Sequence, residues 1–149
     1  MDDKLNPAAA PATPAYDPAA DGWKKRGRQG FIAHTGPMWA RDSGQGLEFG
    51  MLADVKHLNP AGVVHGGALT TLIDSAVSTV AWEAMGRVPC LTVQLDVHFM
   101  DAVRAGEFVV ARAEVMRATA HLVFMRGTLV VGERAVVSAT AVMKILKSQ

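Results

Sequence analysis

Between residues 66 and 85 apolar side chains recur at Leu69, Leu72, Ile73, Ala76, Val77, Val80, Ala81 and Ala84, a helical period that predicts one long helix with a broad apolar face. Gly86 is placed to end it. From 91 to 99 the period changes to two. Leu91, Val93, Leu95, Val97 and Phe99 alternate with Thr92, Gln94, Asp96 and His98, which predicts a half-buried strand with Thr92 on its polar face. Three more strands are predicted near 106–117, 121–131 and 134–146, with linkers short enough for antiparallel neighbours. Upstream, 31–41 and 47–55 read as strands joined in a hairpin through Asp42-Ser43-Gly44-Gln45-Gly46. Neither the helix's apolar face nor the sheet's can stand in water. The order therefore predicts an α+β domain, an antiparallel β-sheet wrapped around one long central α-helix.

Composition narrows the function classes. At 149 residues, half of them hydrophobic, the chain fits one domain with a sizeable core. Pro7, Pro11, Pro14 and Pro18 among alanines mark 1–22 as a flexible Ala/Pro-rich arm, leaving 23–149 as the domain. A formal net charge of +1 gives no general pull toward nucleic acid or a membrane surface. The opening Met1-Asp2-Asp3-Lys4 lacks the basic start and apolar run of a secretory signal, and no stretch is apolar enough to span a bilayer, so a soluble, cytoplasmic protein is expected. The single cysteine, Cys90, cannot form an internal disulfide and reads as a small buried residue. The five histidines show no metal-ligand spacing, so no metal site is expected. The basic run from Lys24 to Arg28 reads as a solvated face.

Candidate chemistry lies in "NPAGVVHGGALTTLID", residues 59–74. Asp74 is the only charged residue from Gly66 through Trp82 and sits at the margin of the buried face. A carboxylate there loses hydration, which is costly without compensation; it reads equally as a base held for catalysis and as an acid reaching solvent past the helix edge. His65-Gly66-Gly67 falls at the helix N-terminus, where unpaired N–H groups and the positive end of the dipole favour negative charge. With no Cβ at Gly66, a substrate atom can approach its amide, which could hold the oxyanion of an acyl-transfer intermediate. The pair also reads as a plain loop-to-helix turn. Gly66 and Asp74 are eight residues apart, roughly 12 Å along the axis at helical rise. One helix cannot bring both to the same carbonyl. If both are catalytic, the simplest solution is a two-fold dimer in which Gly66 of one subunit faces Asp74 of the other.

Asn59, then His65-Gly66-Gly67, then Asp74, with Thr92 opening the alternating strand, resembles the hotdog-fold acyl-CoA thioesterases of the phenylacetate-pathway (PaaI-like) type. The resemblance covers about 30–146. It implies an acyl-CoA substrate, no cofactor (CoA being part of the substrate), a homodimer often paired into a tetramer, and sites across the dimer interface. Carried over by position, Asp74 is implied as general base or nucleophile and the Gly66 N–H as the donor to the thioester carbonyl. Asn59 would orient the carbonyl or the water, His65 would assist at the thioester or leaving sulfur, and Thr92 would offer its hydroxyl to the Asp74 carboxylate. Gly67 joins His65 among the substrate-binding residues, and Arg87, Arg104 and Arg117 are candidates for the CoA phosphates. Trp23, Trp39 and Trp82 read as core or interface packing ahead of acyl-pocket lining. The expected acyl group is aryl or medium-chain. Alternative readings are a non-catalytic acyl-CoA sensor, and a hotdog hydratase or dehydratase, whose relatives pair histidine and acid in other motifs.

Overall fold

The computed structural model describes residues 15–146, so the arm as far as position 14 lies outside the described residues. Strands β1 (Lys24–Arg26), β2 (Met38–Asp42), β3 (Leu47–Leu52), β4 (Cys90–Phe99), β5 (Phe108–Ala118), β6 (Leu122–Val131) and β7 (Arg134–Ile145) form one seven-stranded sheet in the order β1-β2-β3-β5-β6-β7-β4. Every pairing in it is antiparallel. Helices α1 (Gly30–Thr35) and α2 (Gly66–Ala84) complete the domain. The expected architecture is present: the sheet curves around α2, whose Leu69, Leu72, Ile73, Ala76, Val77 and Ala81 are buried against Val109, Ala111, Met125, Leu129, Val137 and Met143.

The helix fits because the sheet offers a trough. Ala113, Gly127 and Ala139 stand in register across β5, β6 and β7. A Cβ on Gly127 would lie 2.6 Å from Ile73 Cδ1, so the glycine sets how closely α2 approaches. Along the outer side of α2, Thr71, Ser75 and Thr79 each donate to the carbonyl four residues back at 2.8 Å, satisfying their hydroxyls internally. The helix ends where predicted: the Gly86 N–H donates to Glu83 O and the Arg87 N–H to Trp82 O, with Gly86 at φ 68°.

Two upstream expectations are corrected. The stretch 31–41 is not one strand: Gly30–Thr35 is helical, and the strand begins only at Met38. Six residues are too few to display a period, so helix and strand look alike there. What selects the helix is tertiary, since Ile32 packs directly on Gly27, where an added Cβ would fall 2.2 Å from its Cγ2. The second strand stops at Leu52, and Val55–His57 is a 3-10 turn whose first N–H donates to Asp54 Oδ1 at 2.6 Å.

The last part of the Ala/Pro segment folds onto the sheet. Asp17 caps a 3-10 turn at Pro18–Asp21, and the rings of Tyr16 and Trp23 each lie 5.0 Å from that of Phe108. Trp23 and Trp39 are buried yet stand outside the core that α2 shares with the sheet, so they pack without reaching the helix.

Candidate active site

The 59–65 loop delivers the helix N-terminus. Asn59 Oδ1 accepts from Ala61 N at 2.9 Å and Val63 N at 3.3 Å, so its carbonyl holds the loop while its amide NH₂ has no acceptor among the described residues. The His65 N–H donates to His57 O at 2.7 Å, and Val64 N donates to Val103 O at 2.8 Å, anchoring both sides of the turn. His65 is the N-cap of α2: its Nδ1 accepts from Gly67 N at 2.8 Å, which puts the ring proton on Nε2, free to donate outward. Gly67 N–H is thereby engaged within the cap and cannot serve a substrate. The next two amides, of Ala68 and Leu69, turn back to His65 O. Among the described residues nothing accepts from Gly66 N–H, which leaves it as the available anion donor of the first turn. The glycine has a steric reason too, since a Cβ there would stand 3.1 Å from the Phe99 ring.

Two turns further, Asp74 is half-buried at the helix edge beside β4. Thr92 Oγ1 donates to Asp74 Oδ1 at 2.8 Å, and Ser78 Oγ lies 3.4 Å from the same hydroxyl. This contact exists because strict alternation fails. The β4–β7 register shifts between Thr92 and Gln94, so Thr92 stands opposite the buried Met143 while Gln94 stands opposite the half-buried Val142. Thr92 was expected to share the polar face of Gln94, Asp96 and His98; the bulge turns it toward the helix instead. Leu91 and Val93, expected inside, are exposed for the same reason.

The carboxylate opens on a cleft of about 260 Å³ lined by Phe31, Ile32, Thr70, Thr71, Ser75 and Leu95. Sequence reasoning missed this wall. The strand expected over 31–41 gives Phe31 and Ile32 no place beside Asp74, and Leu95 reads only as an apolar position of the alternating run. Asp74 Oδ2 has no hydrogen-bond partner among the described residues, so one oxygen is held and the other is available. Gly66 and Asp74 lie beside different parts of β4, at Phe99 and Thr92.

The three arginines do not converge. Arg104 follows Val103 beside the N-terminal end of α2. Arg87 lies past the C-terminal end, 3.5 Å from Glu83 and over the Trp82 ring, and Arg117 sits at that same end of the sheet, paired with Phe124. One chain cannot aim them at one phosphate. Trp82 is half-buried on a separate, wider groove of about 940 Å³ between α2 and the β1–β3 end of the sheet, not on the Asp74 cleft. No group of three or more metal-ligating side chains occurs among the described residues, and no helix there is long and apolar enough to cross a membrane.

A profile of the thioesterase superfamily matches residues 61–138, the stretch holding the helix, both glycines, Asp74 and Thr92. The PA0474 protein of Pseudomonas aeruginosa is 31% identical over 112 residues, which cover 74% of this chain and 84% of that protein. Acyl-coenzyme A thioesterase 13 of Mus musculus is 32% identical over 75 residues, 50% of this chain and 53% of that protein. Among solved structures, the BH2602 protein of Bacillus halodurans, crystallised with CoA, superposes with a TM-score of 0.74 at 19% identity, covering 83% of each chain.

Proposed function

This chain belongs to the thioesterase superfamily, and we propose that it hydrolyses acyl-CoA thioesters to free acid and CoA, with Asp74 as general base or nucleophile. The observation that carries this is the Asp74 carboxylate itself, pinned through one oxygen by Thr92, on a cleft whose walls include the apolar Phe31, Ile32 and Leu95. As general base, Asp74 takes a proton from water while the water oxygen bonds to the thioester carbon. The carbonyl electrons move onto oxygen, where Gly66 N–H stabilises them. The intermediate then collapses, the C–S bond breaks, and the thiolate takes up the proton that Asp74 received from the water, while the neutral His65 ring would offer its Nε2–H as a hydrogen bond to the leaving sulfur. The Asn59 amide would donate to the carbonyl or to the water. No cofactor takes part, and CoA leaves as product.

The reading requires a dimer, because Gly66 and Asp74 are roughly 12 Å apart on one helix. Strand β4 supports one. It is one of the two edges of the sheet, β1 being the other, and carries Leu91, Val93 and Phe99 at 55%, 62% and 54% exposure. Pairing two copies antiparallel about a two-fold axis near Leu95 and Asp96 sets Phe99 of each copy beside Thr92 of the other. Gly66, which lies against Phe99, then approaches the opposite Asp74. Two equivalent composite sites result, and two such dimers can associate further. Phe31, Ile32 and Leu95 favour an aryl or medium-chain acyl group. The expected location is the cytoplasm.

The test is thiol release from aryl, short, medium and long acyl-CoAs by wild type and Asp74→Asn, with the oligomeric state of each measured by light scattering. Asp74→Asn keeps the size of the side chain and removes the proton acceptor, so kcat should fall by about a thousandfold or more with the oligomer intact. An active Asp74→Asn protein refutes the mechanism, and binding of the panel without thiol release by wild type would favour a sensor.

A further inference from the structure

Helix α1 forms part of the cleft wall, yet apart from the packing of Ile32 on Gly27 little in its own sequence holds it. It has six residues, no side-chain N-cap, no acidic residue in its first turn and no fully buried side chain. A helix so short does not persist by its own hydrogen bonds. Its C-terminal carbonyls are held from outside. His57 Nε2 lies 2.6 Å from Thr35 O, and Lys56 Nζ donates to Gly36 O. His57 is 5% exposed, and Asp54 N–H donates to its Nδ1 at 2.9 Å. That bond fixes the tautomer: Nδ1 is the acceptor, so Nε2 carries the proton and donates to Thr35 O. The backbone of His57 is engaged separately, as the acceptor for His65 N–H.

We propose that His57 is a positioning residue for acyl-group recognition: its ring anchors α1 so that Phe31 and Ile32 form a fixed wall beside Asp74. This rests on the thioesterase reading above. The ring acts on the wall, while the helix N-terminus depends on the His57 carbonyl, which a side-chain substitution leaves in place. Replacing the ring should therefore disturb acyl binding and spare the chemical step. Phe31 is 67% exposed, so it gains no fixed place from burial and depends on this anchor.

The experiment compares His57→Asn with His57→Gln. An asparagine oxygen can still accept from Asp54 N–H but its side chain is too short for Thr35 O; a glutamine amide can reach Thr35 O. For the acyl-CoA that wild type prefers, His57→Asn should raise KM about tenfold and flatten the ranking among acyl groups, with kcat within about threefold, and His57→Gln should recover most of the loss. Amide exchange in 30–36 should quicken in His57→Asn while that of α2 is unchanged. A fall in kcat at constant KM, or unchanged exchange in α1, overturns the proposal. If His57→Asn does not fold, Phe31→Ala decides it, since an acyl ranking unaltered by removal of that ring overturns the wall. Should wild type release no thiol from any acyl-CoA, the thioesterase reading fails on its own, and the exchange comparison still reads whether His57 holds α1.

Discussion

Gly127→Ala tests whether the trough under α2 sets the height of the helix above the sheet. Gly127 is buried in mid-β6, and a Cβ there would meet Ile73 Cδ1 at 2.6 Å and both Ile73 Cγ1 and Val77 Cγ1 at 3.2 Å. Carbon atoms prefer about 3.5–4.0 Å, so something must move by about 1 Å. Ile73 and Val77 have no solvent exposure, so the shift is passed into the core. Overpacking of this kind costs about 1–3 kcal/mol, and the lower backbone entropy of the unfolded alanine chain returns about 0.5 kcal/mol. The expected net loss is about 1–2 kcal/mol. Ile73→Val deletes the Cδ1 methyl itself, at a cost of about 1 kcal/mol alone. Combined, the two changes should cost no more than Ile73→Val by itself, a coupling of about 1–2 kcal/mol. Urea unfolding followed by circular dichroism, at one fixed protomer concentration, measures all four corners of this cycle. Additivity within about 0.5 kcal/mol would refute the trough as the determinant of helix height.

Thr92→Val removes the hydroxyl that donates to Asp74 and keeps the shape of the side chain. A hydrogen bond to a charged group at a partly exposed site is worth about 1–1.5 kcal/mol, so kcat/KM should fall about tenfold with the thermal midpoint nearly unchanged; full activity would make Thr92 an ordinary strand residue. Burial pushes the Glu48 carboxyl up, but hydrogen bonds from Arg112 at 2.6 Å and Arg41 at 2.9 Å, with their charges, outweigh it and hold the group below the usual glutamate range. A carboxyl depressed on folding stabilises the native state above its unfolded pKa and loses that contribution as pH falls through the folded value. Unfolding midpoints of wild type and Glu48→Gln should therefore differ at pH 7 and converge in acid, and a constant gap across that range would contradict the sign.

Residues whose pattern repeats over many positions were legible from the chain alone. The apolar period of α2 spans five turns, so its buried face follows from averaging over many side chains, and the strands at Leu122–Val131 and Arg134–Ile145 were legible as elements by their length. The Asn59, His65, Gly66 and Asp74 spacing was likewise readable, because it lies in one continuous segment whose geometry is local. What escaped was each feature decided by a single residue or by a distant partner. A one-residue bulge reverses the face of every side chain beyond it, so Thr92 reaches Asp74 only because β7 shifts its register against β4. Helix α1 is too short to carry a period and is held by His57, 22 residues away from its carbonyl partner. Trp23 found Phe108 on a strand far along the chain. Hydrophobic periodicity fixes which face of a long element is buried, whereas contacts between remote segments depend on register and docking, which exist only once the sheet has closed around its helix.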